Sequence, residues 1–221
     1  MEGMRLWLWR ILIFFLAFLS FACLLGTFYG FWSMRTFACL AYLPAVAVLS
    51  FIAWTKRGEL PASWIWHGTV GGLVAALAYD LFRLPFVLQG APLFKVFPRF
   101  GELLLGHTEP RWLVQVLGWG YHFSNGAALG IMFLTVASRA TSRGLFFGAV
   151  AWALAVEIAL LLTPYPAFFG IPFDQRFVLL TLSAHLVFGL TLGLWLSSRR
   201  HSLGRALSQP RSDRQASPSM P

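Results

Sequence analysis

Two segments of the chain repeat one spacing of residues that could carry chemistry. The first begins at His122 and the second at His185, and in both the histidine is followed by glycines four and eight positions later. Each segment comes after another apolar segment that contains one acidic residue, Asp80 in the first case and Glu157 in the second. Ionisable side chains are costly inside a membrane, so this repeated combination predicts a functional polar site.

These residue types favour a metal or cofactor site. Two imidazoles and two carboxylates suit zinc or non-haem iron, and two histidines from different helices can also hold a haem. The predicted metal ligands are His122, His185, Glu157 and Asp80. A bound cation would explain the burial of two acids and could activate water at a lipid-facing site. Two features oppose this prediction: Arg83 would repel a cation unless Asp80 pairs with it, and no two ligands are one helical turn apart.

The complete predicted site contains six residues at similar depths. They are Asp80, Arg83, His122, Asn125, Glu157 and His185, all in the outer half of their spans, roughly 8 to 20 Å below the outer boundary at the helical rise per residue. Asp80 and Arg83 are three positions apart on one helix, which predicts an ion pair. We expect the six side chains to surround one cavity reached from the outer face. His107, with Glu102 and Glu109 near it, could join this site from an outer loop.

The glycines predict how the helices meet. Residues four and eight positions apart share a helix face, so the glycines that follow each histidine lie on its face. Gly68 and Gly72, and likewise Gly144 and Gly148, form the same kind of face in the preceding segments. Small residues at this spacing let membrane helices approach closely. The pattern predicts an internal duplication of helical hairpins, built from the third and fourth spans and from the fifth and sixth.

The composition indicates an integral membrane protein. Of the residues, 58% are hydrophobic and 11% are charged, and the mean hydropathy is +0.69. Six segments have the length and apolar character of a span: 8–31, 36–54, 63–88, 112–137, 144–163 and 177–197. The predicted fold is therefore an all-α polytopic helix bundle over residues 1–198. Cys23 and Cys39 show neither redox nor zinc-finger spacing.

The basic residues predict the orientation of these spans. Eleven Lys and Arg residues fall in the terminal segments and loops of one side, and five fall on the other. The positive-inside rule then places both termini in the cytoplasm, and we expect the membrane to be a bacterial inner membrane. Residues 199–221, rich in Ser, Arg and Pro, are predicted to be a disordered cytoplasmic tail. The net charge of +9 is explained by this topology and does not indicate nucleic acid.

Two outer loops have patterns of their own. Between residues 89 and 111, apolar side chains at helical spacing share one face and charged ones another, which predicts a short interfacial helix bent or begun at Pro98. The loop of residues 164–172 is apolar and interrupted by prolines, so a regular helix is not expected there. Both loops should lie over the outer ends of the spans.

Three functions are consistent with these patterns. The first is a metal or cofactor site that acts on a lipid-phase substrate. The second is a secondary transporter or proton-coupled permease for a small, perhaps anionic, solute, because internal repeats around a polar site are typical of transporters. The third is a non-catalytic subunit or assembly factor, with copies of this chain or other membrane subunits as partners. Whether the chain is an enzyme stays open.

Overall fold

The computed structural model describes residues 2–106 and 110–200 of the chain. The α-helices are α1 (Glu2–Phe28), α2 (Met34–Phe37), α3 (Leu43–Thr55), α4 (Leu60–Leu88), α5 (Val96–Leu105), α6 (Arg111–Ala137), α7 (Ser142–Leu161), α8 (Tyr165–Phe168) and α9 (Gln175–Ser198). A π-helical segment, Ala38–Tyr42, joins α2 to α3, and a 3₁₀ turn, Pro92–Phe94, precedes α5. The predicted roles of His107 and Glu109, and the tail from residue 201, lie outside the described residues.

Five of the described helices are long and apolar enough to cross a membrane. They are α1, the continuous helix Met34–Thr55, α4, α7 and α9. The sixth predicted span, α6, has 27 residues but is not among these five. Its glycines and polar side chains, among them Gln115, His122 and Asn125, reduce its apolar character. The protein is thus all-helical in its described part and compatible with an integral membrane protein.

Helix α6 lies at the centre of the bundle. It packs against α1, α4 and α5, and the segment Leu129–Thr135 is buried on every side. A helix face that meets protein does not need a composition that suits lipid. The polar residues Gln115, His122 and Asn125 are at least half-buried, whereas the exposed positions of α6 include the apolar residues Trp112 and Val116.

The glycines that follow each histidine are points of close helix contact. On the α4–α6 contact, a Cβ atom added to Gly126 would stand 2.7 Å from the Cβ of Ala76. On the α7–α9 contact, a Cβ atom added to Gly189 would stand 2.7 Å from the Cα of Val150. The predicted glycine face of α7 does not take part in this second contact, because Gly148 faces the ring of Phe133 on α6.

The two outer loops contain helices of different length. Helix α5 has Pro98 in its first turn, where the missing N–H costs little, and so the chain is not broken there. Its buried face packs on α6, where Gly118 leaves room for the carbonyl group of Phe97, and its exposed face carries an ion pair of Arg99 with Glu102 at 2.7 Å. The second loop contains only α8, a single turn, in agreement with its prolines.

Candidate functional site

The first histidine–carboxylate pair lies between α4 and α6. Nη2 of Arg83 lies 2.5 Å from Oδ1 of Asp80, and Oδ2 of the same carboxylate lies 2.9 Å from Nε2 of His122. The side chains of Arg83 and Asp80 are only 4% and 7% exposed. The predicted ion pair is therefore present, and its carboxylate also holds the imidazole. This pairing offsets the cost of burying two charges.

The second pair lies between α7 and α9. Nδ1 of His185 lies 3.2 Å from Oε2 of Glu157 and 3.1 Å from the carbonyl oxygen of Thr181, one turn earlier on α9. Both Glu157 and His185 are buried. Glu157 has no basic residue within a turn of its own helix, and its partner comes from the neighbouring helix.

Tyr79 connects the two pairs. The centroid of its ring lies 6.1 Å from that of His122 and 4.9 Å from that of His185. The guanidinium carbon of Arg83 lies 4.1 Å from the same centroid, a cation–π distance. Tyr79 is not predicted from the sequence, because an uncharged aromatic residue in an apolar segment carries no distinctive signal. Its position directly before Asp80 is the one available indication.

Asn125 ties the site to α1. Its side-chain oxygen accepts a hydrogen bond from the hydroxyl group of Ser20, and the hydroxyl group of Tyr121 donates to the carbonyl oxygen of Ser20 at 2.7 Å. Ser20 is also missed by sequence reasoning, although it is a hydroxyl residue within an apolar span and is 1% exposed. These bonds fix α1 beside the polar residues of α6.

The pairs meet at a small cavity. The space open to the centres of water-sized molecules is about 90 Å³. Four of the six predicted site residues line it, namely Arg83, His122, Asn125 and His185. Asp80 and Glu157 do not line it themselves but are each bonded to a residue that does. The structure thus brings all six predicted residues to one place.

Positions that match between the two hairpins both line the cavity. We define them by their distance along the chain from the acid or from the histidine. The resulting pairs are Tyr79 and Val156, Arg83 and Leu160, and Asn125 and Phe188, and all of these residues line the cavity. The first hairpin supplies the polar member of each pair and the second supplies the apolar one. The cavity therefore has a polar wall and an apolar wall.

The backbone contacts below the cavity are equivalent as well. In each hairpin, the residue eight positions before the acid meets the glycine four positions after the histidine. These residues are Gly72 with Gly126 in the first hairpin and Ala149 with Gly189 in the second. This contact has the same register in both hairpins, whereas the next one differs by a residue: Gly130 meets Gly68, twelve positions before its acid, and Gly193 meets Phe146, eleven positions before its acid.

Aromatic side chains cover the outer end of the cavity. Phe97 and Phe100 of α5 and Tyr165 of α8 line it from that side. The ring centroid of Phe28 lies 5.7 Å from that of Tyr165, and those of Phe100 and Phe169 are 5.4 Å apart. Burial raises the pKa of Tyr165 above its ordinary value, so its hydroxyl group stays protonated. This aromatic cover stands between the cavity and the end of the bundle that carries α5 and α8.

The residues present do not fit the predicted metal or haem. Within residues 2–106 and 110–200, no group of three or more His, Cys, Asp or Glu side chains could hold a metal ion. The four predicted ligands form two separate pairs, and Arg83 already neutralises Asp80. The cavity is also much smaller than a porphyrin, and the Tyr79 ring lies beside both imidazoles.

Comparisons with known proteins supply no relative from which a function could be transferred. No family model matches the chain, and no curated protein or solved structure matches it significantly. What the site does must be argued from its own geometry.

Proposed function

We propose that this chain is an integral membrane protein that binds a small ligand inside the bilayer, beside two pairs of side chains that take up and release protons. The ligand occupies the cavity between the two hairpins, and Asp80–His122 and Glu157–His185 are the proton-exchanging pairs at its wall. One observation carries this proposal: both histidine–carboxylate pairs, contributed by four different helices, end at the same small cavity. Ionisable groups buried in a membrane are energetically costly, and their presence therefore indicates a function.

The proposal includes six spans and an internal duplication. Helix α6, with 27 residues, is long enough to cross the hydrocarbon core, and its polar residues meet protein and not lipid. The equivalent acids, histidines and close contacts of α4–α6 and α7–α9 support a duplicated hairpin whose copies are related by an axis near the membrane normal. Both termini are then on the cytoplasmic side, as the loop charges indicate.

Binding is favoured over passage of a solute through the protein. Below the cavity, close contacts at Gly68 and Gly72 join α4 to α6, and Gly193 of α9 contacts Phe146 of α7 in the same way. Buried side chains such as Leu134 and Leu145 fill the space beneath these contacts. A transporter would have to separate these surfaces in order to open towards the cytoplasm.

Proton exchange is tested by infrared difference spectroscopy of the purified protein in nanodiscs after a change of pH. We expect carboxyl and imidazole bands that disappear in Glu157→Gln and in His185→Gln. Because Tyr79 contacts both imidazoles, His122→Gln should also shift the pH midpoint of the remaining bands, as coupled sites do. His67→Gln is the matched control, since His67 is on α4 and does not line the cavity. If His122→Gln leaves the pH midpoint of the remaining bands unchanged, the two pairs are independent structural pairs and the proposal is overturned.

A further inference from the structure

Arg83 and Asn125 offer hydrogen-bond donors on the cavity wall formed by α4 and α6. Nε of Arg83 is buried and has no hydrogen-bond partner within the described part of the chain. The side-chain oxygen of Asn125 accepts from Ser20 and its amide nitrogen also interacts with Tyr121, which leaves one of its two amide N–H groups for a ligand. Both carboxylate oxygens of Asp80 are taken by Arg83 and His122. A buried donor without a partner is unfavourable, so a ligand that fits this wall supplies acceptors.

The charges of this wall are already balanced. Asp80 lies 2.5 Å from Arg83, and so the guanidinium group does not need a second anion. A carboxylate or phosphate brought into this apolar surrounding would lose its hydration without gaining an unpaired cation. An uncharged acceptor, such as a carbonyl oxygen, meets the free donors without that penalty.

The apolar wall, on α7 and α9, favours an apolar portion of the same ligand. Val156, Leu160 and Phe188 occupy the positions equivalent to Tyr79, Arg83 and Asn125 of the polar wall. A ligand that satisfies both walls is an amphiphile, with its acceptor towards α4 and α6 and its hydrocarbon part towards α7 and α9.

The route to the cavity leads from the bilayer. The aromatic rings of Phe28, Phe100, Tyr165 and Phe169 close the outer end. Phe21 of α1 and Val156 of α7 line the cavity from two sides, yet α1 and α7 barely approach each other within the described residues. Phe21, Val156 and Leu160 are apolar and only half-buried, and so they border a partly open gap between α1 and α7.

We propose that the cavity receives an uncharged, carbonyl-bearing amphiphile from the bilayer, through the gap between α1 and α7. Its carbonyl oxygen accepts hydrogen bonds from Arg83 and Asn125. This inference rests on the proposed function and specifies the ligand of the same site. It replaces the expectation of access from the outer face with lateral access from the lipid.

The ligand class is tested with three radiolabelled probes of similar length: methyl nonyl ketone, decanoate and undecane. Equilibrium binding to the protein in nanodiscs is measured and corrected for empty nanodiscs. We expect saturable binding of the ketone, roughly tenfold weaker binding of decanoate, and no saturable binding of undecane. Asn125→Leu should weaken ketone binding by roughly tenfold, the effect of losing one good hydrogen bond. Tighter binding of decanoate, or equal binding of undecane, would overturn the assignment.

The access route is tested with substitutions on α7. Val156→Trp should slow association of the ketone, because Val156 borders the gap. Ile158→Trp is the matched control on the same helix, since Ile158 is 51% exposed and does not line the cavity. Leu160→Phe is a smaller change at the same gap and serves if Val156→Trp does not fold. Equal rates in the gap variants and the control variant would exclude the lateral route.

The two proposals fail in distinguishable ways. Absence of ketone binding, with the infrared coupling between the histidine–carboxylate pairs intact, would refute the ligand class and leave the proposed function standing. Absence of that coupling when Tyr79 is present and the protein is folded would remove the proposed function, whatever the probes do.

Discussion

The two hairpins place the same polar pair in different surroundings. In α4–α6, the carboxylate of Asp80 contacts both Arg83 and His122. In α7–α9, Glu157 contacts His185, and the position equivalent to Arg83 is Leu160. Charges buried in a membrane must be paired, whereas a histidine and a glutamate can share one proton and stay neutral as a unit. The same type of polar pair thus has an arginine partner in one hairpin and a leucine at that position in the other.

The contrast predicts its largest effect at Asp80. Asp80→Asn should lower the free energy of unfolding by about 3 to 5 kcal/mol, because Arg83 would stay buried without its anion. Titration with SDS in mixed micelles measures this change. Glu157→Gln, the matched change in the second hairpin, should cost much less, since Glu157 forms no ion pair with an arginine in the described part of the chain. The double variant Asp80→Asn with Arg83→Gln should recover most of the loss. Equal costs of the two single changes would contradict the contrast.

The shared register is tested at the glycines. Gly72→Ala should lower the free energy of unfolding by about 1 to 3 kcal/mol, because the added Cβ atom would overlap the carbonyl group of Gly126. Gly189→Ala should cost a similar amount in the second hairpin. Gly148→Ala is the control, since its Cβ atom would meet only the ring of Phe133 at 3.4 Å. The same SDS titration applies, and a costly Gly148→Ala would break the equivalence of the contacts.

A smaller effect distinguishes Asn125 from its counterpart Phe188. A double-mutant cycle with Ser20→Ala and Asn125→Leu should give a coupling of about 1 kcal/mol, the contribution of one buried hydrogen bond. The corresponding cycle with Ser20→Ala and Phe188→Leu should give no coupling, because Phe188 has no polar atom to offer. Coupling of equal size in both cycles would mean that Ser20 acts through packing.

The smallest effect is expected at Tyr79. Tyr79→Phe keeps the ring contacts with both histidines, and no described hydrogen bond uses the hydroxyl group. Its cost should be less than the ~1 kcal/mol of a typical hydrogen bond, with the infrared coupling between the pairs preserved. Tyr79→Leu removes the ring and should abolish that coupling. Coupling that survives Tyr79→Leu would mean that the two pairs communicate by another path.

The polar site follows from the sequence to a considerable degree. Acids and histidines in apolar segments are conspicuous, and the helical repeat places them at comparable depth, so their convergence is predictable without a fold. The ion pair of Asp80 with Arg83 also follows from their spacing. The prediction of six spans is supported only in part. Five described helices meet the criteria of length and apolar character, and α6 does not.

The features that the sequence does not predict depend on contacts between helices that are far apart in the chain. Whether Asp80 and Glu157 share a metal or pair separately is decided by side-chain directions in three dimensions, which residue types alone do not determine. Tyr79 and Ser20 are missed for the same reason, since an uncharged residue in an apolar span gains its role only from its neighbours. The face of α7 that meets α9 is also set by packing, and the nearby glycines point elsewhere.

The central position of α6 has a consequence for how the protein is made. Polar groups on a helix are costly to insert alone, and the partners of His122 and Asn125 are Asp80 on α4 and Ser20 on α1, which both precede α6 in the chain. When α6 leaves the ribosome, these partners are already synthesised. We expect α6 to enter the bilayer together with α1 and α4, as an assembled group, and to fail in truncated chains that lack either of them. Order of synthesis and order of assembly then coincide.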